Sequence, residues 1–388
     1  MPKLNRRTLL HMAGLGGAWA GAGMPSAAWA AAQNAAAVRT STDTTVRLTG
    51  DGLGLTTGQY SHVLAGLADR GIAEDDYVRG GVVEELESRM ATLLGKERAV
   101  FMPTGTLANN LAIRTLAGGH GRAVVQAESH ICLDSGDCVQ TLSNITLLPL
   151  GEGRASFTAE ELERLLEKNG TGRVATPVRV VSIESPVRRM RGQTFEPAEL
   201  IKVVAVARKA GVRLHLDGAR LFLEAAYARK DVAEYAKPFD TVYVSLYKYF
   251  NASFGAILAG PRDLLDGLFH VRRMFGGGLS QAWTSAAVAL HYLDGFESRF
   301  RQAVEVSETL ARRLGAHQGF TVTREPSGTN LMRVAVRTAD PAAFRQKVAA
   351  RGVQLGAPGA NGMFLVATNE TMNRKSAEEI AAALVGAL

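Results

Sequence analysis

Cysteines and aromatic residues are scarce in this 388-residue chain, which has two cysteines and 6% aromatic residues. A chain of this length with two cysteines is not a small disulfide-stapled domain. Beyond residue 30 we find no run apolar enough to cross a membrane, and no internal repeat. An apolar share of 46% with 21% charged residues is typical of a folded globular protein and excludes wholesale disorder.

The two cysteines, Cys132 and Cys138, have Asp134 and Asp137 between them. A metal site needs more ligands at tighter spacing, so the sequence predicts no bound metal. The default interpretation is two buried free thiols, and a disulfide between them is the alternative if the protein is exported.

The first 30 residues have the composition of an export signal. They carry Lys3, Arg6 and Arg7 without an acidic residue, and a stretch without charged side chains follows. The Arg6-Arg7 pair resembles a twin-arginine signal, and Ala28-Trp29-Ala30 has the small-x-small form of a cleavage site. We therefore expect cleavage near Ala30, export to the periplasm and no stable membrane anchor. The alternative is an uncleaved or disordered tail.

From about residue 46 onward, after a lead-in at residues 31–45 that we expect to be flexible, short apolar strands alternate with helices. The predicted strands cover residues 99–102, 123–125, 178–183, 212–216, 241–246 and 255–260. This alternation predicts an α/β fold with a mainly parallel sheet covered on both faces. Ligands bind at the carboxyl ends of such strands. A long helix at about residues 281–314, followed by a strand and two helices, predicts a smaller C-terminal domain.

Lys248 and Asp217 each follow a predicted strand. A lysine at the end of a buried strand can be desolvated enough to form a Schiff base with a carbonyl cofactor. A carboxylate at the neighbouring strand end can pair with a protonated pyridine nitrogen and make that ring an electron sink. Each residue also has a plainer interpretation, Lys248 as a solvated surface lysine and Asp217 as a helix N-cap.

Two further groups also follow predicted strands. Thr104-Gly105-Thr106 begins a predicted helix, where backbone N–H groups and hydroxyls suit a phosphate. His130 follows another strand, where its imidazole can stack on a flat ring; a structural histidine is the alternative.

Together these residues resemble the threonine aldolase / β-eliminating lyase family of pyridoxal-phosphate enzymes of fold type I. The most specific pieces are residues 101–109 (Phe-Met-Pro-Thr-Gly-Thr-Leu-Ala-Asn), 214–222, 243–248 and 272–278. The resemblance implies pyridoxal 5′-phosphate as cofactor and a homodimer or homotetramer with shared active sites. It also implies a seven-stranded large domain at residues 46–290 and a small α+β domain at residues 291–388.

The resemblance also implies roles for single residues. Lys248, Asp217 and His130 would be catalytic, with Lys248 holding the cofactor covalently, Asp217 holding its pyridine nitrogen and His130 stacking on its ring. Five further residues would contact the cofactor: Gly105, Thr106, Ser245, Arg220 and Arg273. Arg273 could come from a neighbouring subunit. Arg220 and Asp51 would contact the substrate.

Three positions depart from the family pattern. Val187 replaces the histidine that usually serves as a candidate base for the β-hydroxyl, and Ser280 and Phe364 replace two usual arginines. Arg188 belongs to a basic cluster beside the missing histidine, which motivates the hypothesis that Arg188 binds the substrate carboxylate. A solvated basic loop is the alternative.

The resemblance therefore implies a lyase that splits a threonine-like β-hydroxy-α-amino acid into glycine and an aldehyde, with His130 or a water taking the hydroxyl proton. The same cofactor supports β-elimination, racemisation or transamination, and the fold does not choose among them. A binding protein that lost turnover is the third interpretation. The net charge of +7 suggests a nucleic-acid partner at first. We assign it instead to the export signal and to residues around an anionic cofactor and substrate, so we expect no nucleic-acid partner.

Overall fold

The computed structural model describes residues 43–174 and 176–388. The predicted export signal at residues 1–30 and the lead-in up to residue 42 lie outside the described residues. The strands, in chain order, are β1 (Val46–Arg47), β2 (Arg98–Met102), β3 (Gly121–Gln126), β4 (Ile145–Leu150), β5 (Val178–Glu184), β6 (Arg213–Asp217), β7 (Thr241–Ser245), β8 (Ala256–Gly260), β9 (Phe320–Arg324), β10 (Leu331–Val336), β11 (Val353–Gln354) and β12 (Met363–Ala367).

The helices begin at local sequence signals. Thr158 and Ser376 each form a capping box with a glutamate three residues on, and Pro197 occupies the first turn of its helix. The α-helices are α1 (Thr57–Ala68), α2 (Gly81–Leu93), α3 (Gly105–Ala117), α4 (His130–Leu133), α5 (Cys138–Ser143), α6 (Ala159–Gly170), α7 (Pro197–Lys209), α8 (Leu221–Ala228), α9 (Val232–Ala236), α10 (Arg262–Leu265), α11 (Leu268–Met274), α12 (Trp283–Leu293), α13 (Phe296–Gly315), α14 (Pro341–Ala349) and α15 (Ala377–Val385).

A seven-stranded sheet lies at the centre of the fold, in the order β2-β8-β7-β6-β5-β3-β4. The pairs from β4 through β7 are parallel, and β8 runs antiparallel to both of its neighbours. Strands β7 and β8 are buried along their whole length, as expected for a sheet covered on both faces. The predicted α/β fold with a mainly parallel seven-stranded sheet is confirmed.

A second layer contains the antiparallel sheet β12-β10-β9 and the parallel pair β1-β11. An apolar cluster that includes Leu310, Phe344, Phe364 and Ile380 packs between these strands and helices α13, α14 and α15. Strand β1 lies near the start of the described chain but pairs with the C-terminal layer. Residues 43–388 form one compact unit, and the proposed domain boundary after residue 290 stays a prediction.

The structure can be compared with three further expectations from the sequence. The prediction of one long helix at residues 281–314 is wrong, because Gly295 adopts φ +66° and separates α12 from α13. Cys132 and Cys138 are both free thiols, the first half-buried and the second buried. Within the described ranges, every helix is too short or too polar to cross a membrane.

Candidate active site

The carboxyl ends of β5, β6 and β7 meet at a cavity of about 450 Å³. Adjacent parallel strands end at the same edge of a sheet, so residues that follow each strand converge there. This volume lies within the range of small-molecule sites. Of the residues predicted from the sequence, seven line the cavity: Gly105, Thr106, His130, Arg188, Asp217, Arg220 and Lys248.

The N-terminus of α3 forms one wall of the cavity. The Thr104 side chain accepts the Leu107 N–H at 3.1 Å, and the Thr104 carbonyl accepts the Ala108 N–H at 3.1 Å. Among the described residues, no intramolecular partner is found for the first two N–H groups of this helix, those of Gly105 and Thr106. Two free donors at the positive end of a 13-residue helix are suited to a phosphate.

Gly105 is required by close packing at this wall. A Cβ atom at this position would lie 2.0 Å from the hydroxyl oxygen of Tyr243, which also lines the cavity. Tyr243 is buried, and burial raises the pKa of its phenol. The start of α3 is therefore packed against the Tyr243 side chain of β7, the strand that leads to Lys248.

Asp217 ends β6 with its side chain buried. Its Oδ2 accepts a hydrogen bond from Asn109 Nδ2 at 2.5 Å, and its Oδ1 accepts the Ala219 N–H at 3.1 Å. The two hydrogen bonds fix the orientation of the carboxylate that Asp217 presents to the cavity.

Lys248 lies three residues beyond β7, and its side chain is half-buried. Its Nζ is 3.4 Å from the Tyr247 hydroxyl and 4.7 Å from the centre of that ring. Gly52 packs so closely on the Lys248 carbonyl that an added Cβ would lie 2.3 Å from the oxygen. The loop after β7 is therefore held in place by the N-terminal segment.

Glu184, at the end of β5, holds the two loops that carry His130 and Arg188. Its carboxylate accepts the His130 N–H at 2.6 Å and the Arg188 N–H at 2.9 Å. Burial, together with the neighbouring Asp217 charge, raises the pKa of Glu184 to about 7. The His130 ring is oriented by Ser135, whose Oγ lies 3.0 Å from Nδ1.

Arg220 is ion-paired with Asp51, at 2.9 Å from Nη2 and 3.0 Å from Nε to Oδ2. Asn330 donates to the other Asp51 oxygen at 3.2 Å. Burial alone would lower the pKa of Arg220, but the charges of Asp51, Glu184 and Asp217 raise it. Arg220 lines the cavity, whereas Asp51, a predicted substrate contact, does not line it and is instead ion-paired with Arg220.

Arg188 lies at the cavity mouth, with its side chain about half exposed. It forms an ion pair with Asp134, which also contacts Arg189 at 3.0 Å. Arg189 does not line the cavity. The two arginines thus share one carboxylate and differ in their access to the site.

Two predicted cofactor contacts lie away from the cavity of this chain. Ser245 is buried at the end of β7 without lining it. Arg273 is exposed on α11, with its guanidinium 4.9 Å from the centre of the Tyr77 ring. The replaced family positions Val187, Ser280 and Phe364 do not line the cavity either, and Phe364 is buried in the core of the second layer.

Several polar cavity residues were not predicted from the sequence, among them Asn109, Glu184 and Tyr247. Glu184 directly follows the predicted strand at residues 178–183, just as Asp217 follows its own predicted strand, so its position alone indicated a site residue. Tyr247 adjoins the selected lysine. Asn109 lies four residues after Gly105 on α3, and one helical turn places both on the same face.

These residues fit a pyridoxal phosphate group. Two free helix N–H groups suit the phosphate, Asp217 suits a protonated ring nitrogen, and Lys248 supplies an amine in the same cavity. A mainly parallel seven-stranded sheet with this lysine and this carboxylate after adjacent strands defines the class of pyridoxal-phosphate proteins of fold type I.

The chain belongs to the β-eliminating lyase family, whose model matches residues 61–337. It is 28% identical over 233 residues to the low-specificity L-threonine aldolase of Candida albicans, covering 59% of this chain and 60% of that protein. It is 24% identical over 312 residues to the corresponding protein of Escherichia coli O157:H7, covering 80% of this chain and 90% of that protein.

Solved structures agree with this assignment. A candidate L-allo-threonine aldolase of Listeria monocytogenes superposes with a TM-score of 0.73 at 29% identity, covering 90% of this chain and 99% of that one. The serine palmitoyltransferase of Sphingomonas wittichii, at 18% identity and a TM-score of 0.62, covers 88% of both chains and shares the fold. The predicted family is confirmed, whereas the individual roles of the site residues stay predictions.

Proposed function

We propose that this protein is a pyridoxal-phosphate-dependent lyase that cleaves a threonine-like β-hydroxy-α-amino acid to glycine and an aldehyde. One observation carries the proposal: Lys248, Asp217, His130 and the free N–H groups at the start of α3 line one cavity. The family of low-specificity L-threonine aldolases, to which the chain is similar over most of its length, supports the same reaction.

Pyridoxal phosphate, when bound, supplies a reactive carbonyl carbon and an electron-withdrawing ring. The N–H groups of Gly105 and Thr106 bind its phosphate, and Asp217 keeps a proton on the ring nitrogen. Lys248 would supply the amine that holds the cofactor through its carbonyl carbon. Arg188 and Arg220 bind the substrate carboxylate. His130 or a bound water takes the β-hydroxyl proton, and because Nδ1 contacts Ser135, Nε2 is the ring nitrogen available for it.

The test measures cofactor and products separately. Purified protein supplied with pyridoxal phosphate should be yellow, and Lys248→Ala should lose that visible band. Incubation with threonine, allo-threonine and phenylserine should release glycine and an aldehyde. Failure to take up the cofactor would overturn the proposal. Binding without turnover of any of these substrates would favour a binding protein.

A second reaction of the same cofactor, β-elimination, is favoured by one observation. Val187 stands where the family usually has a candidate base, and its side chain is buried away from the cavity. Release of ammonia and a keto acid, in place of glycine and an aldehyde, would assign the protein to this reaction.

We also propose a homodimer or homotetramer with shared sites. Arg273 and the neighbouring Met274, which is 78% exposed, lie outside the cavity of their own chain, where a second copy can meet them. Mixing Arg273→Ala chains with Lys248→Ala chains should restore activity if Arg273 serves the partner's site. A monomer in sedimentation equilibrium would contradict the proposal.

We further propose that the protein is exported with its cofactor already bound. The support is the Arg6-Arg7 pair and the uncharged stretch after it. Replacing both arginines with lysine should retain the yellow protein in the cytoplasm, and unchanged export of that variant would contradict a twin-arginine route.

A further inference from the structure

A line of buried hydrogen bonds leads to Asp217 from Thr241 on β7, through His215 on β6 and Asn109 on α3. Thr241 Oγ1 lies 2.8 Å from His215 Nδ1, and His215 Nε2 lies 2.9 Å from Asn109 Oδ1. Asn109 Nδ2 then donates to Asp217 Oδ2 at 2.5 Å. Thr241, His215 and Asn109 are each exposed by 2% or less, so solvent does not substitute for any of these contacts.

The proton positions along this line follow from the carboxylate at its Asp217 end. A carboxylate accepts hydrogen bonds, so Asn109 must turn its amide nitrogen toward Asp217 and its oxygen toward His215. That oxygen only accepts, so His215 carries its proton on Nε2. The bare Nδ1 then accepts the hydroxyl proton of Thr241. Every hydrogen bond in the line therefore points toward Asp217.

His215 keeps this arrangement because it stays neutral. Complete burial lowers its pKa to about 3, so the ring gains no proton at neutral pH. A neutral donor line orients the carboxylate without placing a positive charge beside it. The line therefore adds no positive charge that would compete with a cation in the cavity for Asp217.

The backbone fixes the spacing of the line. His215 and Asp217 lie two residues apart on one face of β6, and Thr241 is the registered partner of His215 on β7. Asn109 lies one turn after Gly105 on α3, which packs against both strands. The helix that offers free N–H groups at its start therefore also holds the carboxylate at a fixed distance from them.

We propose that Asn109 and His215, supported by Thr241, are positioning residues that hold the Asp217 carboxylate against the pyridine nitrogen of the cofactor. The inference rests on the proposed function, because it requires pyridoxal phosphate in the cavity. It adds residues that act by orienting Asp217, with Asn109 in the cavity wall and His215 and Thr241 outside the lining.

The experiment compares two ligands. Apoprotein is titrated with pyridoxal phosphate and with its 1-deaza analogue, in which a C–H group replaces the ring nitrogen. The unsubstituted protein should prefer the natural cofactor. The ligand ratio is the dissociation constant of the 1-deaza analogue divided by that of pyridoxal phosphate. In Asn109→Leu this ratio should fall about tenfold, because a carboxylate that is no longer held in place loses most of its charge-assisted hydrogen bond to the ring nitrogen.

A matched control lies next on the same helix. Asn110 is equally buried and accepts a hydrogen bond from Ser143 at 2.8 Å, on a face of α3 that does not contact Asp217. Asn110→Leu should reduce thermal stability as Asn109→Leu does, yet leave the ligand ratio unchanged. Thr241→Val removes a single hydroxyl and should lower the ratio in the same direction by less.

Equal weakening of both ligands in Asn109→Leu, or an unchanged ratio, would overturn the inference and leave the proposed function standing. If Asn109→Leu does not fold, Thr241→Val decides alone, and an unchanged ratio there overturns the inference. Failure of the unsubstituted protein to bind pyridoxal phosphate would overturn the proposed function and the inference with it.

Discussion

At the scale of single residues, burial raises the pKa of three glutamates. Glu87, Glu184 and Glu224 are each held in surroundings where burial raises the pKa to about 7. Glu184 belongs to the cavity wall. Glu224, on α8, accepts a hydrogen bond from Ser185 at 2.9 Å and lies outside the cavity lining. A substitution at Glu224 therefore tests stability without changing a residue that lines the cavity.

We predict that Glu224→Gln stabilises the protein at pH 8 and has little effect at pH 5. The carboxyl ionises near 4.5 in the unfolded chain and near 7 in the folded one. Between these values the unfolded state binds fewer protons, so the free energy of unfolding falls as pH rises and stays low above pH 7. The amide removes that loss, on the order of 1–3 kcal/mol.

Urea unfolding at the two pH values measures this difference. Glu163→Gln, on the exposed face of α6, is the matched control and should behave like the unsubstituted protein at both. A stabilisation of Glu224→Gln that is equal at pH 5 and pH 8 would show that the Glu224 carboxyl is not the cause.

A second prediction concerns the two arginines that share Asp134. Arg188→Ala should raise the KM for the amino acid about tenfold, because a charge-assisted contact to the substrate carboxylate is lost. Arg189→Ala disrupts the same Asp134 pair from outside the cavity and should leave KM within a factor of about two. Equal KM values in the two variants would contradict carboxylate binding by Arg188.

At the scale of elements, the junction of α12 and α13 shows how one residue interrupts a helical pattern. Asp294 is extended and Gly295 is left-handed at φ +66°, and Arg299 donates to the carbonyls of Tyr292 and Asp294. Two carbonyls at the end of α12 thus find a side-chain donor in place of the next helical turn. The apolar spacing on either side stays helical, which is why periodicity alone predicted a single long helix.

We predict that Gly295→Ala destabilises the protein by about 1–2 kcal/mol, because a side chain at positive φ is strained. An added Cβ there would also lie 3.1 Å from Arg299 Nη1. Gly66→Ala, inside α1 with nothing within 4 Å of the added atom, should stabilise by about 0.5–1 kcal/mol. Chemical denaturation measures the change in the free energy of unfolding for each variant. Equal changes in Gly295→Ala and Gly66→Ala would show that backbone strain at Gly295 is negligible.

The elements that the sequence predicted well are those whose pattern is local. The buried strands β5 and β6 match their predicted bounds within about a residue, because apolar runs encode them. Strand β4 was missed because it lies at the sheet edge with a mixed burial pattern. Asn109 was missed for another reason: its contact with Asp217 exists only after α3 packs on β6, and no spacing in the sequence specifies that packing.

At the scale of the whole molecule, the segment from β1 to Leu53 joins the C-terminal layer to the cavity. Asn369, which is fully buried, donates to the carbonyls of Arg47, Thr49 and Gly50 at 2.9–3.2 Å. A few residues further on, the segment supplies Asp51 to Arg220, and Leu53 donates to Asn251 beside the Lys248 turn. The C-terminal layer thus holds a loop that reaches the site.

We predict that Asn369→Ala weakens amino-acid binding several-fold without removing the yellow band of the bound cofactor. The loop loses its buried donor, which should destabilise the protein by about 1–3 kcal/mol and loosen the Asp51–Arg220 pair. Gln354→Ala, exposed on β11 of the same layer, should change neither stability nor affinity. Spectroscopic titration with the amino acid, alongside urea unfolding, measures both effects. Lower stability with unchanged affinity would show that Asn369 supports the fold but does not position the substrate site through this loop.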